Sequence, residues 1–195
     1  MSQKDDQHVD VSGALSGLLS RAEALGGGAA PVHLWDPPDC GPIPMRIAAD
    51  GTWFYAGTPI VRDRLVRLFA SILRREAGGE FVLVTPVEKV GIVVEDAPFQ
   101  AVEMAREADE RGGKSEPVLV FRTNMGDVVR AGPDHPLRFH VSAPTEGLVP
   151  YVTVRGGLEA RLTRAVAMDL SDDLVEGGPG WGVWSGSMFF AVPEG

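Results

Sequence analysis

The stretch Asp50-Gly51-Thr52-Trp53-Phe54-Tyr55-Ala56-Gly57-Thr58-Pro59 carries the pattern that decides the fold: a turn, four residues of strand character and another turn. The same order returns in Met125-Gly126-Asp127-Val128-Val129-Arg130-Ala131-Gly132-Pro133. Each stretch follows an apolar-rich run, Ile43 to Ala48 in the first case and Val118 to Phe121 in the second. Glycine-containing turns between strands favour hairpins, so the pattern predicts a β-hairpin-based motif that occurs twice.

Such turns are common, and chance similarity of two unrelated hairpins is the alternative to a true repeat. If two related modules pack face to face, the interface between them is a favoured place for a ligand. We therefore expect a small-molecule site between a first α+β module at 43–97 and a second, β-rich module at 98–195. Residues 1–42 are expected to form an N-terminal helix and arm.

Composition narrows the class of protein. The 195 residues are 44% hydrophobic and 23% charged, as in a soluble globular protein. The net charge of −9 argues against binding to nucleic acid or to an anionic membrane, since both need a positive field. One cysteine, Cys40, excludes an internal disulfide, and no export signal is visible, so we expect a cytoplasmic protein.

Hydrophobic spacing predicts an α+β fold rather than alternating strands and helices. A long amphipathic helix is expected from Ile60 to Glu76, with Thr58-Pro59 as its N-cap and first residue. The segment Phe99 to Arg106 is read as a strand, although a short helix is the alternative. A helix over Thr163 to Val175 and one closing strand over Gly182 to Val192 complete the second module.

Charged residues near the predicted bends are the first candidates for chemistry. Arg62 lies at the helix start, where a cation opposes the macrodipole, so we expect it to reach a carboxylate of the facing module. Glu88-Lys89 and Glu95-Asp96 bring three carboxylates and an ammonium into one apolar segment, as general acid–base catalysis or a divalent ion would use. The alternative is a pair of ordinary exposed turns.

A second group, Arg122 to Asp127 and Gly132 to Arg138, suits turns and anion contacts. His135 and His140 stand too far from other ligands to indicate zinc, which needs at least three protein ligands. The sequence contains neither a nucleophile elbow nor a phosphate-binding loop. The arginines could equally pair with acidic residues in a structural network.

Several segments together carry a family resemblance: Cys40 to Arg46, Asp50 to Tyr55, Leu65 to Arg75, Leu83 to Lys89, Val94 to Phe99, Phe121 to Asn124, His135 to Phe139, Pro150 to Gly156 and Gly182 to Gly186. Over residues 35 to 192 the chain resembles a bacterial family of uncharacterised proteins catalogued as domain of unknown function 1285. The resemblance implies two modules with a recurring motif, the second superficially like a pleckstrin-homology fold. We expect that second module to be a mostly antiparallel sheet with a C-terminal helix. It also implies a small, nucleotide-like ligand at the module interface, a role in signalling and no established catalytic residue. Pro44 stands where the family resemblance leads us to expect an aspartate.

The leading hypothesis is therefore a non-enzymatic protein, without a cofactor, that binds a small anionic or nucleotide-like ligand. Its predicted ligand-binding residues are Arg62, Glu88, Lys89, Glu95, Arg122, Asn124, His135, Arg138 and Arg155, with Trp53 and Tyr151 for ring stacking. One alternative is a protein–protein interaction module that uses the arginine face of the long helix or the strand near Leu137. The other is a hydrolase that uses Glu88, Glu95 or Asp96.

Overall fold

The computed structural model describes residues 11–24, 30–108, 117–142, 147–177 and 180–193. It divides into two compact units. The first contains residues 1–46 and 53–93, and the second contains residues 47–52 and 94–195. The second unit thus includes the first of the two predicted glycine turns, which the sequence had placed in the first module.

The first unit combines one six-stranded sheet with two helices. Its elements are α1 Val11–Ala24, a 3₁₀ turn Val32–Leu34, β1 Asp39–Ile47, β2 Trp53–Tyr55, β3 Thr58–Pro59, α2 Asp63–Ser71, β4 Leu73–Arg75, β5 Phe81–Val84 and β6 Lys89–Val94. The strand order is β3-β2-β1-β6-β5-β4. Trp53 stacks on Phe69 of α2, with ring centroids 6.1 Å apart, and both side chains are buried in the core.

Helix α2 is shorter than the predicted 60–76. Thr58 and Pro59 pair with β2 as strand β3, and Arg62, which makes no side-chain cap bond, occupies the N-cap position. At the other end, Leu73 pairs with Leu83 of β5. The apolar residues keep helical spacing as far as Leu73. Leu73 nevertheless lies in a strand, because it pairs across the sheet with Leu83, ten residues further along the chain.

The second unit is built on another six-stranded sheet. Its elements are β7 Phe99–Glu107, β8 Val118–Thr123, β9 Val128–Arg130, β10 Leu137–Ser142, β11 Gly147–Arg155, β12 Leu158–Leu162, α3 Arg164–Ser171, β13 Val175–Gly177, β14 Gly180–Ser185 and β15 Met188–Ala191. The order is β10-β11-β12-β7-β8-β9, in which only β12 and β7 run parallel. Val166 and Leu170 are the buried residues of α3.

These elements confirm the α+β class and the strand at Phe99 to Arg106. The predicted helix over 163–175 is too long, because Val175 begins β13. The closing strand is instead a hairpin of β14 and β15, with Gly186 at φ +57 in the turn between them. Helix α3 is therefore followed by a three-stranded sheet, β13-β14-β15, and is not C-terminal.

The two glycine turns have one hydrogen-bond pattern. We call residues 48–52 the first turn and residues 123–127 the second turn. In each, the N–H of the first residue donates to the C=O of the fifth, and the N–H of the fourth donates to the C=O of the first. The fourth residue is Gly51 or Gly126, with φ +84 or +93, a left-handed conformation that favours glycine. Beyond β2 and β9 the stretches differ, because Ala56-Gly57 turns into a strand whereas residues 131–136 contain none.

Candidate functional site

A row of polar side chains crosses three neighbouring strands of the second unit. In the strand register, Arg138 of β10 stands opposite Tyr151 of β11, and Tyr151 stands opposite Arg161 of β12. Directly opposed residues project on the same face of a sheet, so the register places two guanidinium groups on either side of one phenol ring. We call Arg138, Tyr151 and Arg161 the arginine–tyrosine row.

Carboxylates fix each member of this row. The Tyr151 hydroxyl donates to Oδ1 of Asp96 over 2.8 Å, and Nη1 of Arg161 donates to Oδ2 of the same carboxylate over 2.9 Å. The Arg138 guanidinium lies over the Tyr151 ring, 4.2 Å from its centroid. Its Nε and Nη2 donate to the two carboxylate oxygens of Glu159 over 2.9 and 3.0 Å. The ring and both guanidiniums are thus positioned by the fold.

The electrostatics of the row favour a neutral phenol and charged arginines. Burial raises the pKa of Tyr151 to about 12, and donation of its proton to Asp96 acts in the same direction. The hydrogen bonds to Glu159 raise the pKa of Arg138 above its usual value. Two guanidiniums face two carboxylates, so the row and its partners have no net charge.

Gln100 continues the row onto β7, where it stands opposite Arg161, and it joins the two glycine turns. Its Nε2 donates to the Ala49 carbonyl of the first turn over 3.1 Å. Its backbone N–H donates to Oδ1 of Asn124 in the second turn over 3.0 Å, and the Asn124 N–H donates back to the Gln100 carbonyl. Oε2 of Glu95 accepts the Ala49 N–H. Asn124 and Glu95, both predicted ligand residues, are therefore engaged in holding turns.

Two other predicted arginines of the second unit pair with carboxylates away from this row. Nη1 of Arg155 donates to Oδ1 of Asp127 over 2.7 Å, and the guanidinium lies 4.8 Å from the centroid of the Phe99 ring. Arg122 forms a two-bond pair with Glu103, in which its side chain is 46% exposed.

The remaining predictions fall in the first unit. Arg62 is an exposed N-cap residue, Glu88 pairs with Arg21, and Nζ of Lys89 lies 3.8 Å from Glu76. Trp53 is only 1% exposed, so its ring serves the core and offers no free face for stacking on a ligand. Of the predicted residues, the described structure brings Arg138 and Tyr151 into direct contact with each other.

His135 lines a separate cleft of about 980 Å³ in the second unit. Its polar walls come from Glu107, Arg130, Asp134, Ser185 and Ser187. Nδ1 of His135 lies 3.1 Å from the carbonyl oxygen of Thr153, which can only accept, so Nδ1 is the donor of this bond. Arg130 pairs with Glu107 at the rim, which leaves this cleft with a negative rather than a positive balance.

Three residues of this arrangement are not among the predicted ligand-binding residues: Arg161 lies in the row, and Asp96 and Glu159 bond to its members. Asp96 is predicted from the sequence as a hydrolase carboxylate or a turn residue, not as the partner of Tyr151 and Arg161. A signal for the other two existed, because Leu158-Glu159-Ala160-Arg161-Leu162 alternates apolar and charged residues and so places both charges on one face. Among the described residues, no three side chains of His, Cys, Asp or Glu group as metal ligands. None of the helices in the described ranges is long and apolar enough to span a membrane.

Comparison with known proteins places two family models end to end on this chain. Residues 30–97 match the N-terminal domain and residues 98–192 the C-terminal domain of DUF1285, described as a domain and a protein of unknown function. A crystal structure of a DUF1285 family protein from Silicibacter pomeroyi DSS-3 is similar over 89% of this chain and 93% of its own, with 50% identity and a TM-score of 0.80. One from Shewanella baltica OS155 is similar over 67% and 91%, with 29% identity and a TM-score of 0.51. No curated protein matches.

Proposed function

The chain belongs to the DUF1285 family, and we propose that it binds a small anionic, ring-bearing ligand at the arginine–tyrosine row of its second unit. The observation that carries the proposal is Arg138, which is stacked on Tyr151 and still 49% exposed in its side chain. Signalling is part of the same proposal, because a protein that binds a small molecule without converting it can report its concentration. We also propose that the sheet of the second unit has a pleckstrin-like character.

The guanidinium of Arg138 is already held in the geometry that recognises an anion. Its Nε and Nη2 form two parallel bonds with Glu159, the arrangement that arginine uses for carboxylates and phosphates. A carboxylate or phosphate of the ligand would bind the Nε and Nη2 edge of Arg138, where it would either compete with Glu159 or bind beside it. Since the Tyr151 ring fixes the plane of the guanidinium, little side-chain freedom remains to be lost on binding.

Stacking on Tyr151 also explains why the ligand should carry a planar ring. One face of the guanidinium contacts the phenol ring, and a guanidinium can stack a second planar group on its other face. The Tyr151 hydroxyl, bound to Asp96, prevents the ring from turning away. A nucleobase or a similar ring attached to a phosphate or carboxylate would satisfy both the edge and the face of Arg138.

The charge balance of the arginine–tyrosine row limits the kind of anion that can bind there. Asp96 and Glu159 neutralise the two arginines, and the whole chain has a net charge of −9, so no long-range field draws anions to the row. Affinity must then come from short-range hydrogen bonds and stacking. We therefore expect bare phosphate or sulfate to bind much more weakly than an anion that carries a ring.

The test is a thermal-shift screen of nucleotides, phosphorylated metabolites and aromatic carboxylates. A ligand at about 100 times its dissociation constant stabilises a protein by about 2.7 kcal/mol, which such a screen detects. Arg138→Ala should abolish the shift. Arg122→Ala is the matched control and should keep it, because Arg122 forms the same two-bond pair with a glutamate at similar exposure on the same sheet.

Three outcomes would contradict the proposal. The first is that no compound in the broad panel raises the melting temperature. The second is that the shift survives Arg138→Ala or is lost equally with Arg122→Ala. The third is that Arg130→Ala rather than Arg138→Ala removes it, which would place the ligand in the cleft lined by His135 instead.

A further inference from the structure

Strand β9, Val128–Arg130, forms one end of the six-stranded sheet of the second unit. Its three consecutive residues all line the cleft of about 980 Å³ that also contains His135. Successive residues of a strand project to opposite faces of a sheet. A cleft that all three residues reach therefore lies along the open edge of the strand, and we call it the edge cleft.

The hydrogen bonds of β9 determine which of its backbone groups point to this open edge. Just beyond β9, the Ala131 N–H donates to the carbonyl of Leu119 in β8. Antiparallel residues alternate between bonded and non-bonded pairs, so Val128 and Arg130 stand in non-bonded pairs with β8. Their N–H and C=O groups therefore point away from β8. Within the described ranges, no residue bonds to these groups.

The side chain of Arg130 does not shield this edge. A charged residue on an edge strand commonly blocks pairing with a further strand. Here, however, Nη2 of Arg130 donates to a carboxylate oxygen of Glu107 in β7, which lies two strands inward in the order β7-β8-β9. The guanidinium is thus directed back across β8, away from the open edge. Val128 is 63% exposed, so neither residue protects the backbone groups of β9.

Both walls of the edge cleft are held by hydrogen bonds. On one side, Gly132 and His135 exchange two backbone bonds of 3.2 Å. On the other, the Ser185 hydroxyl donates to the Ala131 carbonyl over 2.8 Å and accepts the Leu119 N–H over 3.0 Å. The cleft volume lies at the upper end of the roughly 300–1,000 Å³ of small-molecule pockets, which suits a peptide of several residues. Walls on both sides favour a single extended chain over a second folded copy.

The lining of the edge cleft indicates which side chains would suit such a chain. An added strand places its side chains alternately on the two faces of the sheet. On one face its neighbour is the buried Val129, so apolar side chains are favoured there. The carboxylates of Glu107 and Asp134 outnumber the guanidinium of Arg130, and the whole chain has a net charge of −9. An acidic segment would therefore be repelled.

We propose that β9 pairs with an extended segment of a partner protein, which lies in the edge cleft and adds a strand to the sheet. The N–H and C=O groups of Val128 and Arg130 would bond to the main chain of this segment. Main-chain bonds provide the affinity in such strand additions, and side-chain contacts at alternate positions provide the specificity. The segment has apolar residues at alternate positions and no net negative charge. This surface is separate from the arginine–tyrosine row.

The experiment uses the full chain and a labelled synthetic peptide of about nine residues, in which valine alternates with threonine and lysine. Fluorescence anisotropy should detect its binding. Two methylated forms test the main-chain bonds: one carries N-methyl groups on the valine amides, and the other carries them on the threonine and lysine amides. Alternate N–H groups of a strand point to the same edge. One methylated form should therefore bind like the parent peptide, and the other should show no binding.

A proline at position 130 tests the same bonds from the side of the protein. Arg130→Pro removes the outward N–H but no bond to β8, and edge strands tolerate proline at such positions. It should raise the dissociation constant of the parent peptide about tenfold, because a main-chain bond is lost and its acceptor is left unpaired. Arg130→Ala is the matched control, since it removes the same side chain but keeps the N–H, and it should change the dissociation constant by less than about threefold. Arg138→Ala should leave it unchanged, which separates the edge cleft from the ligand site.

Several results would overturn the proposal. One is that the parent peptide does not bind at millimolar concentration. Another is that both methylated forms bind, or that neither does, and this result decides the matter even if Arg130→Pro unfolds. A third is that a folded Arg130→Pro variant, checked by circular dichroism, binds the parent peptide as well as Arg130→Ala does. A dimer in sedimentation that Arg130→Pro dissociates would also overturn it, because a second copy would then occupy the edge.

Discussion

The first turn, 48–52, and the second turn, 123–127, have the same backbone hydrogen bonds but different supports. Neighbouring side chains hold the first turn: Glu95 accepts the Ala49 N–H and Gln100 donates to the Ala49 carbonyl. The second turn is held largely by its own first residue, because the hydroxyl of Thr123 accepts the N–H groups of Met125 and Asp127. Both turns also bond to Gln100, the second through Asn124, so the copies differ mainly in the side chains that hold them: Glu95 and Gln100 in the first, Thr123 in the second.

The largest effect is expected at Gly51. Alanine there is strained at φ +84, and its Cβ would lie 2.9 Å from Cγ of Gln100 and 3.3 Å from Nδ2 of Asn124. Left-handed strain of about 1–2 kcal/mol and overpacking of about 1–3 kcal/mol should together lower the free energy of unfolding by about 2–5 kcal/mol. Urea denaturation followed by tryptophan fluorescence measures this loss.

Gly57→Ala is the control for strain alone. Gly57 has a similar φ of +79, but a Cβ there meets nothing within 4 Å. Its substitution should lower the free energy of unfolding by only about 1–2 kcal/mol. Equal losses at Gly51 and Gly57 would mean that the neighbours of the first turn do not constrain it.

The second turn should be most sensitive at Thr123. Thr123 is fully buried, and Thr123→Val keeps the shape of its side chain but removes the acceptor of two backbone N–H groups. We expect a loss of about 1–3 kcal/mol in the free energy of unfolding, because two partly buried donors are left unsatisfied. Thr123→Ser retains the hydroxyl and should lose less. If valine is tolerated as well as serine, the second turn does not depend on its own side chain.

These turns also show what the sequence could predict. A glycine between strands specifies a left-handed turn residue through local sterics, so both turns and the α+β class were predictable. The end of α2 was not, because Leu73 fits a helix by spacing and joins a strand only through its pairing with Leu83. Pairings between distant residues carry no comparable local pattern.

In the candidate site, too, local sequence predicted some features and long-range pairing decided the others. Arg138 and Tyr151 were identifiable by residue type, as a cation and an aromatic ring that suit an anionic ligand. Asp96 reaches Tyr151 across 55 residues of sequence, and Arg161 joins them through the register of β11 and β12. Trp53 had the right residue type for stacking, but its contact with Phe69 places it in the core. Residue type suggested members of the site, and long-range packing decided which of them meet.

The smallest expected effect is an interaction energy at the first turn. Gln100→Ala removes both the donor to Ala49 and the Cγ atom that crowds position 51. When Gln100 is alanine, Gly51→Ala should lower the free energy of unfolding by less than it does in the unaltered chain. The loss in the double variant should therefore be about 1 kcal/mol smaller than the sum of the two single losses. Gly57→Ala combined with Gln100→Ala should be additive within about 0.5 kcal/mol, since no atom of Gln100 lies within 4 Å of a Cβ at Gly57. Additivity in both pairs would show that Gln100 does not press on the first turn, and the difference between the two turns would then have to arise within each turn's own residues.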